Sequence, residues 1–408
     1  MKLPHLHPER KLVCSMKDNI TKLLGLEDVI VKNIEENERE IEIYIELPRK
    51  AHECPCCGRK TDSIHDYRMQ RIRDCPAFGK PVYLFLRKRR YICRECGKRF
   101  YERNSFLPRY YRRTQREIIA IINSFRELVS AKHISVEHGI SVSTALRYFD
   151  LVSYGTLKLP RVLSMDEFRG NAGGEKFQTI LTDAENHKVL DILPNRKSHD
   201  LIKFLLKFPR EERLKVEYVV MDMSTTFYGV AQTCFPQATI VADRYHVVRQ
   251  AAWAMENVRK DRQKKLSPEW RRYFKRSRYL LNKAPERLSE EESDKLRVLL
   301  GISTDLECAY KLKNGFRELM RSPDSNTGKR LLADWVYFAE SSGLKEFSSC
   351  TKAIHNWSSE ILASFDCPYS NGYTEGCNNK TKVLKRVCFG VRSFARLRNR
   401  ILHCAGGT

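Results

Sequence analysis

"RVLSMDEF", residues 161–168, is a short apolar run that ends in acids. A buried run of this length reads as a strand covered on both faces. An aspartate ending such a strand emerges at the carboxyl edge of a sheet, where α/β proteins build their sites. Four further runs share this character: FQTILTD, KVLDILP, EYVVMD and ATIVAD, all between Phe177 and Asp243. With the intervening segments they predict the order strand, strand, strand, helix, strand, helix, strand from Arg161 to about Val248. Asp222 ends EYVVMD as Asp166 ends its own run. Ser224 and Thr225 then stand ready to start a helix, which leaves Ser224 and Tyr228 structural roles.

Each aspartate alone is compatible with a simple strand-end cap. Together they suit Mg²⁺, a hard ion that takes oxygen ligands from converging elements. Two such ions about 4 Å apart can serve the attacking and leaving oxygens of a phosphodiester. That chemistry calls for a third carboxylate. Glu375 is the candidate, a lone acid in SNGYTEGCNNKTKVLKR, residues 370–386. At about 100° per residue, a helix here puts Glu375, Asn379, Lys382 and Arg386 on one face. Cys377, Leu384 and Cys388 fall opposite, as a core stripe. Lys382, Lys385 and Arg386 are the expected phosphate binders. In ATIVADRYHVV, Asp243 and His246 are neighbours on one helix face. His246 is placed to touch the scissile phosphate or to hold a catalytic acid. Asp243 is an alternative to Asp222 as second metal ligand, and a local structural hydrogen bond is the plainer reading of the pair.

Nearer the N-terminus, AHECPCCGRK and RRYICRECGKRF carry Cys54-x2-Cys57 and Cys93-x2-Cys96, each followed by glycine. Two such knuckles predict one structural Zn²⁺ held by four thiolates. Cys56 points away from the metal inside its knuckle, and Cys75 and His65 are the possible substitutes. The segment PVYLFLRKRRY between them reads as part of a β-hairpin. Arg87, Lys88, Arg89 and Arg90 on it suit DNA phosphates or a solvated basic face.

QREIIAIINSFREL has the apolar spacing of an amphipathic helix. Next comes a short helix to His138, a turn at Gly139, and a second helix capped by Ser141. Val142, Ala145, Leu146 and Phe149 point inward there. Ser143, Thr144 and Arg147 are left for a major groove, so a helix-turn-helix over residues 112–155 is expected.

The chain has 408 residues, a formal charge of +24 and 42% hydrophobic residues. Such a length implies several folded domains, and such a charge implies a polyanionic partner. No apolar run is long enough to cross a membrane. Fourteen cysteines in an intracellular chain argue for metal ligation and buried thiols, not disulfides. We expect an N-terminal segment to residue 50 with a helix-like start, NITKLLGLEDVIV, and an alternating strand, EREIEIYIEL. A zinc ribbon over 51–105, the helix-turn-helix, and a domain over 160–408 follow.

The order of these motifs resembles the ISL-three family of bacterial insertion-sequence transposases, within the wider DDE class. SMDEF, VADRYHV and SNGYTEGCNNKTKVLKR carry the resemblance, which runs from about Cys54 to Cys404. It implies a multidomain α+β protein whose catalytic domain is ribonuclease H-like, with a helical insertion at about 260–365 before the glutamate helix. It implies Asp166, Asp222 and Glu375 as the metal-binding triad, and it matches Asp243 and His246 to the class's Asp-x-x-His. The expected activity is Mg²⁺-dependent cleavage and strand transfer at terminal inverted repeats. The enzyme would be a homodimer on double-stranded DNA, cytoplasmic and nucleoid-associated. A regulator that has lost catalysis and a structure-selective nuclease are the alternatives.

Overall fold

The computed structural model describes residues 26, 29–107, 110–155 and 158–406. The helix-like start at 19–31 lies mostly outside them, and its last two residues open a strand instead. Two compact units divide the chain, residues 1–152 and 153–408.

The first unit is built on β1 (Ile30–Glu36), β2 (Ile41–Glu46), β3 (His52–Glu53), β4 (Lys60–Thr61), β5 (Ile64–Ala77), β6 (Lys80–Ile92) and β7 (Arg99–Tyr101). Its main sheet runs β1-β2-β6-β5, with β7 also on β6, while β3 and β4 form a separate small pair. Period-two alternation buries Ile41, Ile43 and Ile45 of β2 against Val82, Leu84 and Leu86 of β6. Burying each such aliphatic side chain is worth about 1.5–3 kcal/mol, so this sheet has a core independent of any metal.

The basic run on β6 is not uniformly solvated. Arg89 is buried, held by Glu46 (3.0 Å), Glu102 (3.2 Å) and the Leu47 carbonyl (2.7 Å). It is therefore spent inside the fold and is not available to a DNA phosphate, contrary to expectation. Arg90 is only partly exposed and reaches Asp66 at 3.4 Å. Arg87 lies over the Tyr67 ring and pairs with Glu46.

Three helices complete this unit: α1 (Gln115–Ser124), α2 (Ala131–Glu137) and α3 (Val142–Phe149). Thr114, Ser130 and Ser141 each cap one by accepting a backbone N–H. Ile118, Ile121, Phe125, Ile134, Ala145, Tyr148 and Phe149 form their shared core. Phe125 and Phe149 stack at 4.5 Å. Gly139 takes φ +55° in the turn between α2 and α3, where a side chain would be strained. Val142 and Leu146 are half-buried, Ser143 and Arg147 exposed, and Thr144 half-exposed.

The second unit opens with β8 (Val162–Phe168), β9 (Gln178–Asp183) and β10 (Lys188–Leu193), then α4 (Ser198–Leu205), β11 (Tyr218–Met221), α5 (Thr225–Cys234) and β12 (Thr239–Ala242). The sheet order is β10-β9-β8-β11-β12. β8, β11 and β12 run parallel, and β9 is antiparallel to both of its neighbours. Leu163, Met165, Val219 and Met221 pack with Leu201, Leu205, Phe227 and Val230 of α4 and α5. After β12 comes α6 (Arg244–Lys264) and a helical block reaching Asp366. That block has its own core around Met255, Phe274, Phe316, Trp335 and Phe347. The chain then returns in α7 (Gly372–Val387), which packs on β8 and β9, and ends in α8 (Phe394–Cys404).

Candidate active site

Topology alone gathers the acids. β8, β11 and β12 are adjacent and parallel, so residues at their carboxyl ends share one edge of the sheet. Asp166 is the fifth residue of β8, Asp222 follows β11, and Asp243 follows β12 and heads α6. Asp166 is 7% exposed. Its Oδ1 accepts the Glu167 N–H at 2.7 Å and its Oδ2 accepts from Asn378 at 2.8 Å. One carboxylate oxygen of Asp222 and one of Asp243 are buried with no hydrogen bond at all. His246, one turn into α6, puts Nε2 at 3.5 Å from Glu375 Oε1 and 3.9 Å from Asp243 Oδ2. Asp243, His246 and Glu375 thus offer ligand atoms that all lie within 4.8 Å of one another.

Burial raises every one of these carboxyls, and neighbouring acids add to it at Asp166, Asp222 and Glu375. Burial, opposed by the Glu167 N–H and aided by the charges of Asp222, Glu375 and Asp243, pushes Asp166 up to about 7. Asp222 rises to about 6, through burial and then Glu167 and Asp243. Burial also raises Asp243 and Glu375, and it lowers His246. Orphaned buried carboxylate oxygens and mutually repelling acids are a donor set that a cation would satisfy. Carboxylate crowding of this kind, with the single imidazole of His246 beside it, fits a divalent ion.

The inner face of α7 is polar, which its sequence did not reveal. The stripe Thr374, Asn378, Thr381 and Leu384 is buried, while Cys377 and Cys388 are only half-buried. Ser164 of β8 donates to Asn371, Thr374 donates to Ser164 at 3.1 Å, and Thr182 meets Thr374 at 2.7 Å. These bonds lock the first turn of α7, and with it Glu375, onto the sheet. The available signal was Ser164 and Thr182, polar residues inside apolar strands that prove to be cross-strand partners. Asn378 is the missed residue of most consequence, because it holds Asp166 directly. Asn378→Leu is expected to cut activity at this site by roughly ten- to a hundredfold, as happens when the partner that orients a metal-holding carboxylate is removed. The fold, followed by circular dichroism, should be unchanged; full activity in this variant would refute the positioning role.

Of the expected phosphate binders, Lys382 and Arg386 are exposed, with Lys382 bonded to Asn379 at 3.1 Å. Lys385 differs. It turns inward and donates to the Arg169 carbonyl, so it fastens α7 to the end of β8. Ser224 caps α5 and Tyr228 packs edge-on against Trp357.

The four knuckle cysteines converge in the first unit. Cys54 and Cys96 sulfurs are 3.5 Å apart, as are those of Cys57 and Cys93. All four lie within 4.8 Å, against about 3.8 Å for the edge of a tetrahedron with 2.3 Å zinc–sulfur bonds. Both knuckles close identically. Gly58 and Gly97 donate to the carbonyls of Cys54 and Cys93 at 2.9 Å, with φ of +72° and +70°. Cys56 is exposed, and neither Cys75 nor His65 joins the cluster.

Residues 163–401, more than half of the chain, match the family model described as transposase, DDE type ISL3. The chain belongs to this ISL3 family of DDE transposases. Residues 50–96 of the transposase match a second model, the zinc-finger of transposases IS204, IS1001, IS1096 and IS1165, which spans all four cysteines. The transposase for insertion sequence element IS1001 of Bordetella parapertussis is 27% identical over 377 residues, 88% of this chain and 90% of the relative. The transposase for IS1557 of Mycobacterium tuberculosis is 26% identical over 244 residues, 53% of this chain and 54% of the relative. This transposase therefore carries a zinc ribbon and a DDE domain, a family for which a divalent metal is implied. Among its described residues no helix is long and apolar enough to cross a membrane.

Proposed function

We propose that this transposase binds the terminal inverted repeats of its insertion sequence and performs Mg²⁺-dependent strand cleavage and strand transfer. The observation that carries this is the gathering of Asp166, Asp222, Asp243 and Glu375 at one sheet edge with orphaned, buried carboxylate oxygens. Asp166, Asp222 and Glu375 are the residues assigned to hold a pair of Mg²⁺ ions. Bound there, such ions would supply the charge for attack at a phosphodiester and for departure of the leaving oxygen. His246, 3.5 Å from Glu375, orients that carboxylate, and Asn378 orients Asp166. Exposed Lys382 and Arg386 receive the flanking phosphates.

A second assignment, with Asp243 beside Glu375 in place of Asp222, is favoured by the 4.8 Å grouping with His246. Comparing Asp222→Asn with Asp243→Asn separates the two: the ligand variant abolishes cutting, the other slows it.

The strand order, with β9 alone reversed, supports a ribonuclease H-like domain carrying a helical insertion. The packing of α1 to α3, with Ser143 and Arg147 outward, supports a helix-turn-helix that places α3 in a major groove with Thr144 beside them. The zinc ribbon joins it in recognising the ends, in the cytoplasm and on the nucleoid. A homodimer brings two ends together.

The test is purified full-length protein with DNA bearing the element's ends and flanks, with and without Mg²⁺. Cutting at the ends with Mg²⁺ alone is expected. No cutting would leave a DNA-binding regulator, and cutting without joining of pre-cut ends would leave a nuclease.

A further inference from the structure

α6 leaves the acid cluster with a row of side chains that neither the metal chemistry nor the core uses. Tyr245, Arg249 and Trp253 are spaced four residues apart, so they lie on one face of the helix. Tyr245 is 55% exposed and Trp253 50%. The Arg249 guanidinium lies over both rings, 4.4 Å from Trp253 and 5.7 Å from Tyr245. A chain of contacts ties this row to the acids step by step. Tyr245 meets His246 edge-on at 5.5 Å, and His246 Nε2 is 3.5 Å from Glu375. The positive charge of Arg249 also partly opposes the rise that burial gives the carboxyls of Asp222 and Glu375. Its Nε has no hydrogen-bond partner. Tyr337 and Phe338 of the helical block, also exposed, meet each other edge-on at 5.8 Å.

Exposed aromatic rings cost free energy in water unless something covers them. Here the cover must tolerate a cation between two rings and must lie beside a phosphodiester-cleaving centre. A paired base hides its faces within the duplex stack, whereas an unpaired base offers a face to an aromatic ring and its own phosphate to a guanidinium. We infer that Tyr245, Arg249 and Trp253 form a binding site for an unpaired nucleotide of the strand being processed, stacked on Trp253 with its phosphate on Arg249. This site rests on the proposed DNA-cleaving role. It means that the enzyme engages ends that are locally opened next to the scissile bond.

The test reads binding without added Mg²⁺, so it does not depend on cleavage or on the repeat sequence. Full-length protein is titrated with a duplex of arbitrary sequence, either fully paired or ending in an unpaired thymine fork. The native protein should prefer the fork. Trp253→Ala should lose roughly ten- to a hundredfold on the fork, the range set by one base–aromatic stack, with paired-duplex affinity retained. Trp253→Phe should keep most of the preference, and Tyr245→Ala, at a still more exposed position, should weaken it several-fold. The inference is overturned if the native protein shows no fork preference. It is equally overturned if Trp253→Ala keeps that preference, or if it loses paired and forked DNA alike. A protein that prefers the fork yet never cuts with Mg²⁺ would refute the catalytic reading and leave this site standing.

Discussion

Asp166→Asn is expected to abolish end cleavage, by on the order of a thousandfold or more, while binding paired DNA as the native protein does. Several kcal/mol of charge stabilisation in the transition state would depend on the metal proposed for this carboxylate, and about 1.4 kcal/mol is a factor of ten. The same change should make the metal-free protein more stable at pH 8. A carboxyl whose folded pKa lies above its unfolded one holds its proton more tightly when folded, so stability falls as pH rises between the two values. For Asp166 that window runs from the ordinary 3.8 to about 7. Above it, the native protein bears the whole cost of a buried charge, and asparagine does not. The gain is on the order of 1–3 kcal/mol, seen as a higher melting temperature of the second unit at pH 8 that disappears below pH 4. Asn378 can accommodate the new amide, because its Oδ1 is buried and unpaired and is free to accept once the group flips. Loss of cutting with a lowered melting temperature would point to damage in the fold and defeat the assignment. Cutting at the native rate would remove Asp166 from the site.

The opposite signs of these two effects explain how much of the site could be read beforehand. Strands that bury both faces must be apolar, so an acid at the end of RVLSMDEF or EYVVMD contradicts its surroundings and can be seen in the sequence. Cysteine pairs with trailing glycines are equally visible, since the knuckle needs a left-handed turn at a fixed place. The inner face of α7 was hidden because hydrophobic periodicity finds only apolar stripes. There the stripe begins with Thr374, Asn378 and Thr381; Thr374 is met by Ser164 and Thr182, and Asn378 by Asp166, from strands some 200 residues earlier. Helical spacing therefore pointed to Cys377 and Cys388, and it named Asn379 where its neighbour Asn378 makes the contact. Arg89 was hidden for a similar reason. A run of four basic residues looks solvated until Glu46 arrives from β2 and Glu102 from just past β7. In both cases the deciding partner is distant in sequence, and local pattern carries no information about it.

Cys93→Ser tests the other metal, with a large effect in a confined place. Structural zinc is worth on the order of 10 kcal/mol where the apo segment cannot fold. The knuckles are such segments: each is a tight turn held by a few backbone bonds, such as Cys54 N–H to Arg59 and Cys93 N–H to Lys98. The adjoining sheet is not, because Ile43, Ile45, Ile72, Leu84 and Leu86 form its core without the metal. Loss of one thiolate should therefore unfold both knuckles and spare the strands. Zinc content should fall from one ion per chain toward none. Hydrogen exchange should become fast over residues 54–61 and 92–99, while the amides of β2 and the first half of β6 stay protected. Binding to the element's ends should weaken, while the second unit keeps its own melting transition, since its core lies wholly within residues 153–408. If Cys93→Ser retains stoichiometric zinc, the four-thiolate site is wrong. If the whole sheet unfolds with the knuckles, the metal-independent core assigned to it is wrong instead.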